Sequence, residues 1–142
     1  MGGSQEIADA AAAAMFAQDR NAHAMGMVVT TVAPGAATVE MTVVASMVNG
    51  LDVCHGGVIF ALADTAMAFA SNARGGTNLA AHAAIDWLAP ARVGHALTAS
   101  ANETFHDGRI GFYDVTVSGP DGTIAVFHGR TKKVSDEGPA AS

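Results

Sequence analysis

Asp64 is the one ionisable side chain in residues 56–73, a stretch that is otherwise apolar or small on every side. An ionised carboxylate on such a surface costs free energy unless it is paired, hydrogen-bonded or partly solvated in a pocket. A lone acid there is a candidate for chemistry, as a nucleophile or as a base acting on water. Gly56 lies eight residues earlier, behind Asn49, Cys54 and His55. Cys54 beside His55 hints at a thiolate nucleophile. Adjacent side chains point apart, however, and nothing nearby is set to activate the thiol.

The elements that position these residues follow from pattern. Residues 5–21 are rich in helix formers without Gly or Pro and predict a first helix. Residues 27–32 and 37–44 predict strands, separated by the turn Ala33-Pro34-Gly35. Residues 47–54 form a loop, and 56–73 the long helix, ended by Arg74-Gly75-Gly76 with a cation in its last turn. Strands follow at 77–88, 95–105, 110–117 and 123–134, with turns at 106–109 and 119–122. The last strands should be antiparallel neighbours. The expected architecture is α+β: a long helix across an antiparallel sheet of about six strands, plus the N-terminal helix. One domain spans 1–142, with flexible ends at 1–4 and 135–142. Ile59, Leu62, Ala63, Ala66, Phe69 and Ala70 form the stripe expected to face the sheet. Asp64 points away, beside Phe60, Met67 and Ala68. That side is apolar too, so it needs a cover, for which another subunit is the best candidate.

Composition narrows the class. Half of the 142 residues are apolar and 14% are charged, which leaves little polar surface for a monomer and points to oligomer interfaces. A net charge of −6 argues against nucleic-acid binding. The single cysteine forms no internal disulfide and suits a reducing compartment. Glu6 and Asp9 before the alanine-rich run at 8–17 speak against a secretory signal, and no apolar run reaches membrane-spanning length. The expected location is cytoplasmic, with no membrane contact. The remaining histidines (His23, His82, His95, His106 and His128) lack metal-ligand spacing, so no metal is expected. Asn72 and Asn102 read as surface or cap residues.

The segment Asn49-Gly-Leu-Asp-Val-Cys-His-Gly-Gly-Val-Ile-Phe-Ala-Leu-Ala-Asp64-Thr65-Ala resembles the hotdog-fold acyl-CoA thioesterases, with its nearest likeness in the phenylacetate-degradation branch. Ile85-Asp-Trp87-Leu-Ala89-Pro90, Gly111-Phe-Tyr-Asp114 and Val126-Phe-His-Gly129 are similar to further family segments, so the likeness covers nearly the whole chain. It implies a hydrolase that splits an aryl-acetyl or hydroxyaryl acyl-CoA into acid and CoA, with no cofactor beyond the CoA of the substrate. Phenylacetate catabolism is the implied setting. The assembly implied is a homodimer that shares its active sites, paired further into a dimer of dimers (a homotetramer). In that family the helix carboxylate attacks or activates water, the amide of the first Gly after His binds the carbonyl oxygen, and the Asn holds the carbonyl or the water. Carried over, these are Asp64, Gly56 and Asn49, with His55 as an accessory donor. Thr65 orients Asp64 or simply packs.

Helix geometry adds an independent point. Eight residues at about 1.5 Å each put Gly56 and Asp64 roughly 12 Å apart, too far for one carbonyl to touch both. If both act, they come from two subunits. The substrate-binding candidates are Gly57, Phe60, Met67, Trp87 and the cations Arg74, Arg130, Lys132 and Lys133, the last four as partners for CoA phosphates. Against that role, the C-terminal cluster also reads as a solvated strand end. Ala89 stands where the family often has Arg, Trp87 where it has Phe and Ser71 where it has Cys. Phe69 occupies the position where the enoyl hydratases carry His, which disfavours hydratase chemistry. A non-catalytic acyl-CoA-binding module and a medium-chain acyl-CoA thioesterase remain as alternatives.

Overall fold

The computed structural model describes residues 2–139. Helix α1 (Gly2–Gln18) and a short α2 (Arg20–Ala24) precede strands β1 (Val28–Ala33) and β2 (Ala36–Thr42). A 3₁₀ turn (Ala45–Met47) and a loop lead into helix α3 (Gly56–Asn72). Strands β3 (Thr77–Trp87), β4 (Ala96–His106), β5 (Ile110–Gly119) and β6 (Gly122–Ser135) complete the chain. All neighbouring strands are antiparallel, in the order β1-β2-β4-β5-β6-β3. The connection through α3 therefore carries the chain from β2 to the far edge of the sheet, and α3 crosses the face on the way. This is the hotdog architecture.

The core lies between α3 and the sheet. Ile59, Leu62, Ala63, Ala66, Phe69 and Ala70, the stripe expected from the sequence, are all buried, facing Val39, Leu97, Val115, Val117 and Phe127. The buried arc is wider than that stripe, because Met67 is wholly enclosed as well. A β-carbon on Gly129 would collide with the Met67 sulfur, so the glycine in β6 makes the room the thioether fills.

Three expectations about the ends change. The first helix is two helices: Asp19 leaves the helix and its carboxylate accepts from the Ala22 amide at 2.9 Å, capping α2. Residues 2–4, expected to be flexible, are already helical; Met1 lies outside the described residues. At the other end β6 runs to Ser135, and the Thr77 hydroxyl donates to the Glu137 carbonyl at 2.7 Å. Residues 140–142 also lie outside the described residues.

The free edge of β3 is long. Ala80, Ala81, His82 and Ala84 are all exposed along it, and among the described residues no strand pairs with its outer side. Natural sheets seldom leave such an edge without charge, Pro or cover.

Candidate active site

Residues 49–55 form a tight loop that delivers α3. Asn49 accepts from the amides of Leu51 (2.9 Å) and Val53 (3.4 Å) through its side-chain oxygen, while its own amide bonds to the Val53 carbonyl at 2.8 Å. Asp52 adopts a left-handed φ of 64° to close the turn. Asn49 is thus first of all the staple of this loop, and only its side-chain NH₂ is left to meet a ligand. The Cys54 amide bonds to Ala91 O (2.7 Å) and the His55 amide to Met47 O (2.8 Å). Burial pushes the Cys54 thiol up, away from thiolate chemistry.

His55 is the N-cap of α3, with φ −54° and ψ 136°, and its side chain makes no capping bond. A Ser, Thr, Asp or Asn there would have taken up the amide of Gly57 or Val58. The His55 carbonyl takes the amides of Val58 (3.0 Å) and Ile59 (3.3 Å). The amides of Gly56 and Gly57 keep no partner among the described residues, at the positive end of the helix dipole. Gly56 lines a groove of about 370 Å³ together with Asn49, Val53, Cys54, Ile59, Trp87 and residues 88–90, and Gly57 is the next residue of the helix. Leu88 and Pro90 were not among the sequence candidates. The break at Pro90 was the signal that β3 ends beside the helix start.

Trp87 is half exposed, at 52%, and its indole N–H donates to the Gly56 carbonyl at 3.1 Å. The ring lies so close that a β-carbon on Gly56 would stand 2.9 Å from Trp87 Cε2. Phe60, one turn on, is half-buried and meets Phe127 edge-on, with centroids 5.3 Å apart.

Asp64 is half-buried and has no hydrogen-bond or ion-pair partner among the described residues. Burial raises its pKa. Thr65 does not orient it by donation: its hydroxyl proton goes to Ala61 O at 2.7 Å, inside the helix.

The cations divide. Arg74 lies past the helix end rather than in its last turn, and it grips Glu103 through Nε (2.9 Å) and Nη2. The Glu103 side chain is only 8% exposed, so this arginine neutralises a buried acid and is not a free phosphate ligand. Lys133 pairs with Asp136 at 3.3 Å. Arg130 and Lys132 lie on the sheet face away from α3, whereas Lys133 follows Gly129 and Thr131 on the helix side. Lys132 and Lys133 nonetheless line one pocket with Arg109, which Arg130 does not share, and none of these cations lines the Gly56 groove within the chain. Met67, expected to line the acyl site, belongs to the core. Asn72 is no surface residue either. It is 3% exposed and knotted to Asn78, accepting that residue's amide at 2.8 Å and donating to its carbonyl at 3.1 Å.

Residues 51–126 match the family model of the thioesterase superfamily. The chain belongs to that family. This thioesterase superfamily member is 40% identical over 122 residues to the acyl-coenzyme A thioesterase PaaI of Escherichia coli K12, an alignment that covers 85% of this chain and 87% of the relative. The solved structure of the E. coli PaaI protein from the phenylacetic acid degradation operon superimposes with a TM-score of 0.91 at 37% identity, over 93% of this chain and 96% of that one. A variant of the phenylacetic acid degradation protein PaaI of Thermus thermophilus gives a TM-score of 0.78 at 33% identity, over 80% and 98% of the two chains.

Proposed function

We propose that this protein is an acyl-CoA thioesterase of the PaaI type, and that its substrates are aryl-acetyl or hydroxyaryl acyl-CoA esters. The observation that carries the reading is the pair of open amides at Gly56 and Gly57, at the head of the same helix that carries an unpaired Asp64. Likeness to the E. coli acyl-coenzyme A thioesterase over most of both chains supports it. Donors aimed at a developing oxyanion are often the largest catalytic contribution, about 3 kcal/mol each. The half-exposed indole of Trp87 favours an aromatic acyl group, which gains from stacking on it.

The site is shared between two copies. Eight residues separate the two functions along α3, so a carbonyl held by Gly56 of one protomer meets Asp64 of its partner. Two antiparallel helices that do this are aligned midway between positions 56 and 64, which puts Phe60 on the two-fold axis. It then packs against its own copy, a role that replaces substrate contact. The open edge of β3 joins its equivalent and continues the sheet across the dimer. Dimers pair further into a tetramer. Asp64 attacks the carbonyl and expels the CoA thiolate, leaving an acyl anhydride that water then hydrolyses to the free acid, or it draws a proton from water that attacks directly and passes that proton to the departing CoA sulfur. Asn49 holds the loop and offers its NH₂ to the carbonyl or the water, with His55 exposed at the rim.

The test is release of free CoA from a panel of aryl-acetyl, benzoyl and straight-chain acyl-CoAs by wild type and Asp64→Asn. Turnover that ranks aryl-acetyl esters first and falls by orders of magnitude in the variant is the expected result. A preference for straight chains would move the assignment to a medium-chain acyl-CoA thioesterase. Binding without turnover in the wild type would make the protein a non-catalytic module.

A further inference from the structure

We propose that Trp87 is a positioning residue of the reaction, holding the Gly56–Gly57 peptide so that the Gly57 amide serves as a second oxyanion donor beside Gly56. The inference rests on the thioesterase reading and extends it to residues on the oxyanion side. Three observations meet here. The Trp87 indole N–H donates to the Gly56 carbonyl at 3.1 Å. The Gly56 and Gly57 amides are both without partners among the described residues, while the next two amides of the helix are taken by the His55 carbonyl. The indole covers the Gly56 α-carbon so closely that a β-carbon there would stand 2.9 Å from Cε2 and 3.0 Å from Nε1 and push the ring aside.

The physical link is the planarity of the peptide unit. The Gly56 carbonyl and the Gly57 N–H belong to one plane and point in opposite directions. A peptide between two glycines is the freest kind the backbone has, because neither side carries a β-carbon to limit its rotation. It also lies in the first turn of α3, where a missing side-chain cap leaves the helix start free to fray. A carbonyl has two lone pairs, so the indole can bond to it without displacing the helix's own bond. Once the indole fixes the carbonyl, the Gly57 N–H is fixed too, aimed out of the helix start alongside that of Gly56. Preorganised donors stabilise an oxyanion without reorganising during the reaction, and that is the part of the rate the bond supplies. The other face of the ring stays free for the acyl group, consistent with its exposure of 52%.

The chain has a single tryptophan, which allows a clean test. Biosynthetic replacement of tryptophan by 3-benzothienylalanine puts sulfur where the N–H was and keeps the ring's shape and packing; Trp87→Phe removes the donor by ordinary mutagenesis. Both proteins are compared with wild type for CoA release from one aryl-acetyl-CoA and one straight-chain acyl-CoA. The expected result is a kcat roughly five-fold lower in the sulfur analogue, by the same factor on both substrates. KM should stay within about two-fold, since ground-state binding is untouched. Trp87→Phe loses at least as much. An analogue that keeps the wild-type kcat overturns the positioning role even if its KM rises, because Trp87 would then be a wall of the acyl site only. A wild type without turnover refutes the thioesterase reading, and the inference falls with it; an active wild type beside an unimpaired analogue refutes the inference alone.

Discussion

Two inactive variants of this chain should restore each other. The donor has to lie about 3 Å from the carbonyl oxygen, the carbonyl bond is about 1.2 Å long, and an attacking atom approaches carbon at about 3–3.5 Å. One thioester therefore bridges roughly 8 Å, short of the roughly 12 Å between positions 56 and 64 of α3. Asp64→Asn removes the carboxylate and leaves the groove intact. Gly56→Pro removes the amide N–H at a helix position that tolerates proline, after a His55 whose ψ of 136° suits it. Its ring also pushes against the Trp87 indole, so all the damage stays on the oxyanion side. Each variant alone spoils both sites of a symmetric dimer. Co-expressed in equal amounts with different affinity tags, they pair at random, and half of the dimers are mixed. A mixed dimer holds one site with both lesions and one with neither. CoA release from the unfractionated mixture should reach about a quarter of the wild-type rate per chain, and only slightly more in assemblies purified through both tags, because tetramers that carry both tags still include unmixed dimers. Doubly tagged assemblies no more active than either parent would refute the shared site, and with it the argument from helix length.

Two further outcomes follow from the geometry. Burial raises the Asp64 pKa, and only the ionised carboxylate attacks or takes a proton, so kcat/KM should rise with pH through a midpoint above the ordinary aspartate value. A pH–rate profile whose acid limb sits at that ordinary value would contradict this. The same shift has a sign for stability: between the unfolded and folded pKa values the native chain binds more proton, so stability falls as pH rises through that window. Asp64→Asn should accordingly melt higher than wild type at neutral pH in a calorimeter, and a lower Tm would count against it. Arg74→Ala should leave KM for acyl-CoA unchanged while costing about 1–3 kcal/mol of stability in urea unfolding, since it strands the nearly buried Glu103; a selective rise in KM would restore Arg74 to a phosphate-binding role.

The parts of this molecule that were readable in advance are those whose causes are local. The strands at β1 to β6 and the long helix α3 emerge from periodicity and turn residues within a position or two of their bounds, because alternation and 3.6-residue stripes are written in consecutive residues. The break at Asp19 was also local, a capping carboxylate three residues before Ala22, yet the alanine run around it outweighed the signal. Strand periodicity would have separated Lys133 from Arg130 and Lys132, since neighbours in a strand face opposite ways. What stayed hidden depends on contacts between distant positions. Arg74 meets Glu103 across 29 residues, and Asn72 becomes buried only when β3 folds back to bring Asn78 against it. Trp87 reaches Gly56 across 31 residues, and nothing in either local sequence announces that bond.

Residues 49–64 are arranged at a cost to stability that function explains. Helix α3 starts on a histidine that does not cap, follows it with two glycines that weaken a helix, and then carries a raised carboxylate without a partner. A chain selected for stability alone would have placed Ser or Asp at position 55 and Asn or Ala at position 64, and each change would satisfy or remove a group that now lies open. The surrounding structure compensates. Asn49 ties the loop through two amides, the backbone bonds from Cys54 to Ala91 and from His55 to Met47 anchor its exit, and the Trp87 indole steadies the first helical peptide. The unsatisfied groups are the two amides and the carboxylate, the complement of a thioester carbonyl under attack. The groups around them are satisfied, and this division is what separates a reactive site from a badly packed helix end.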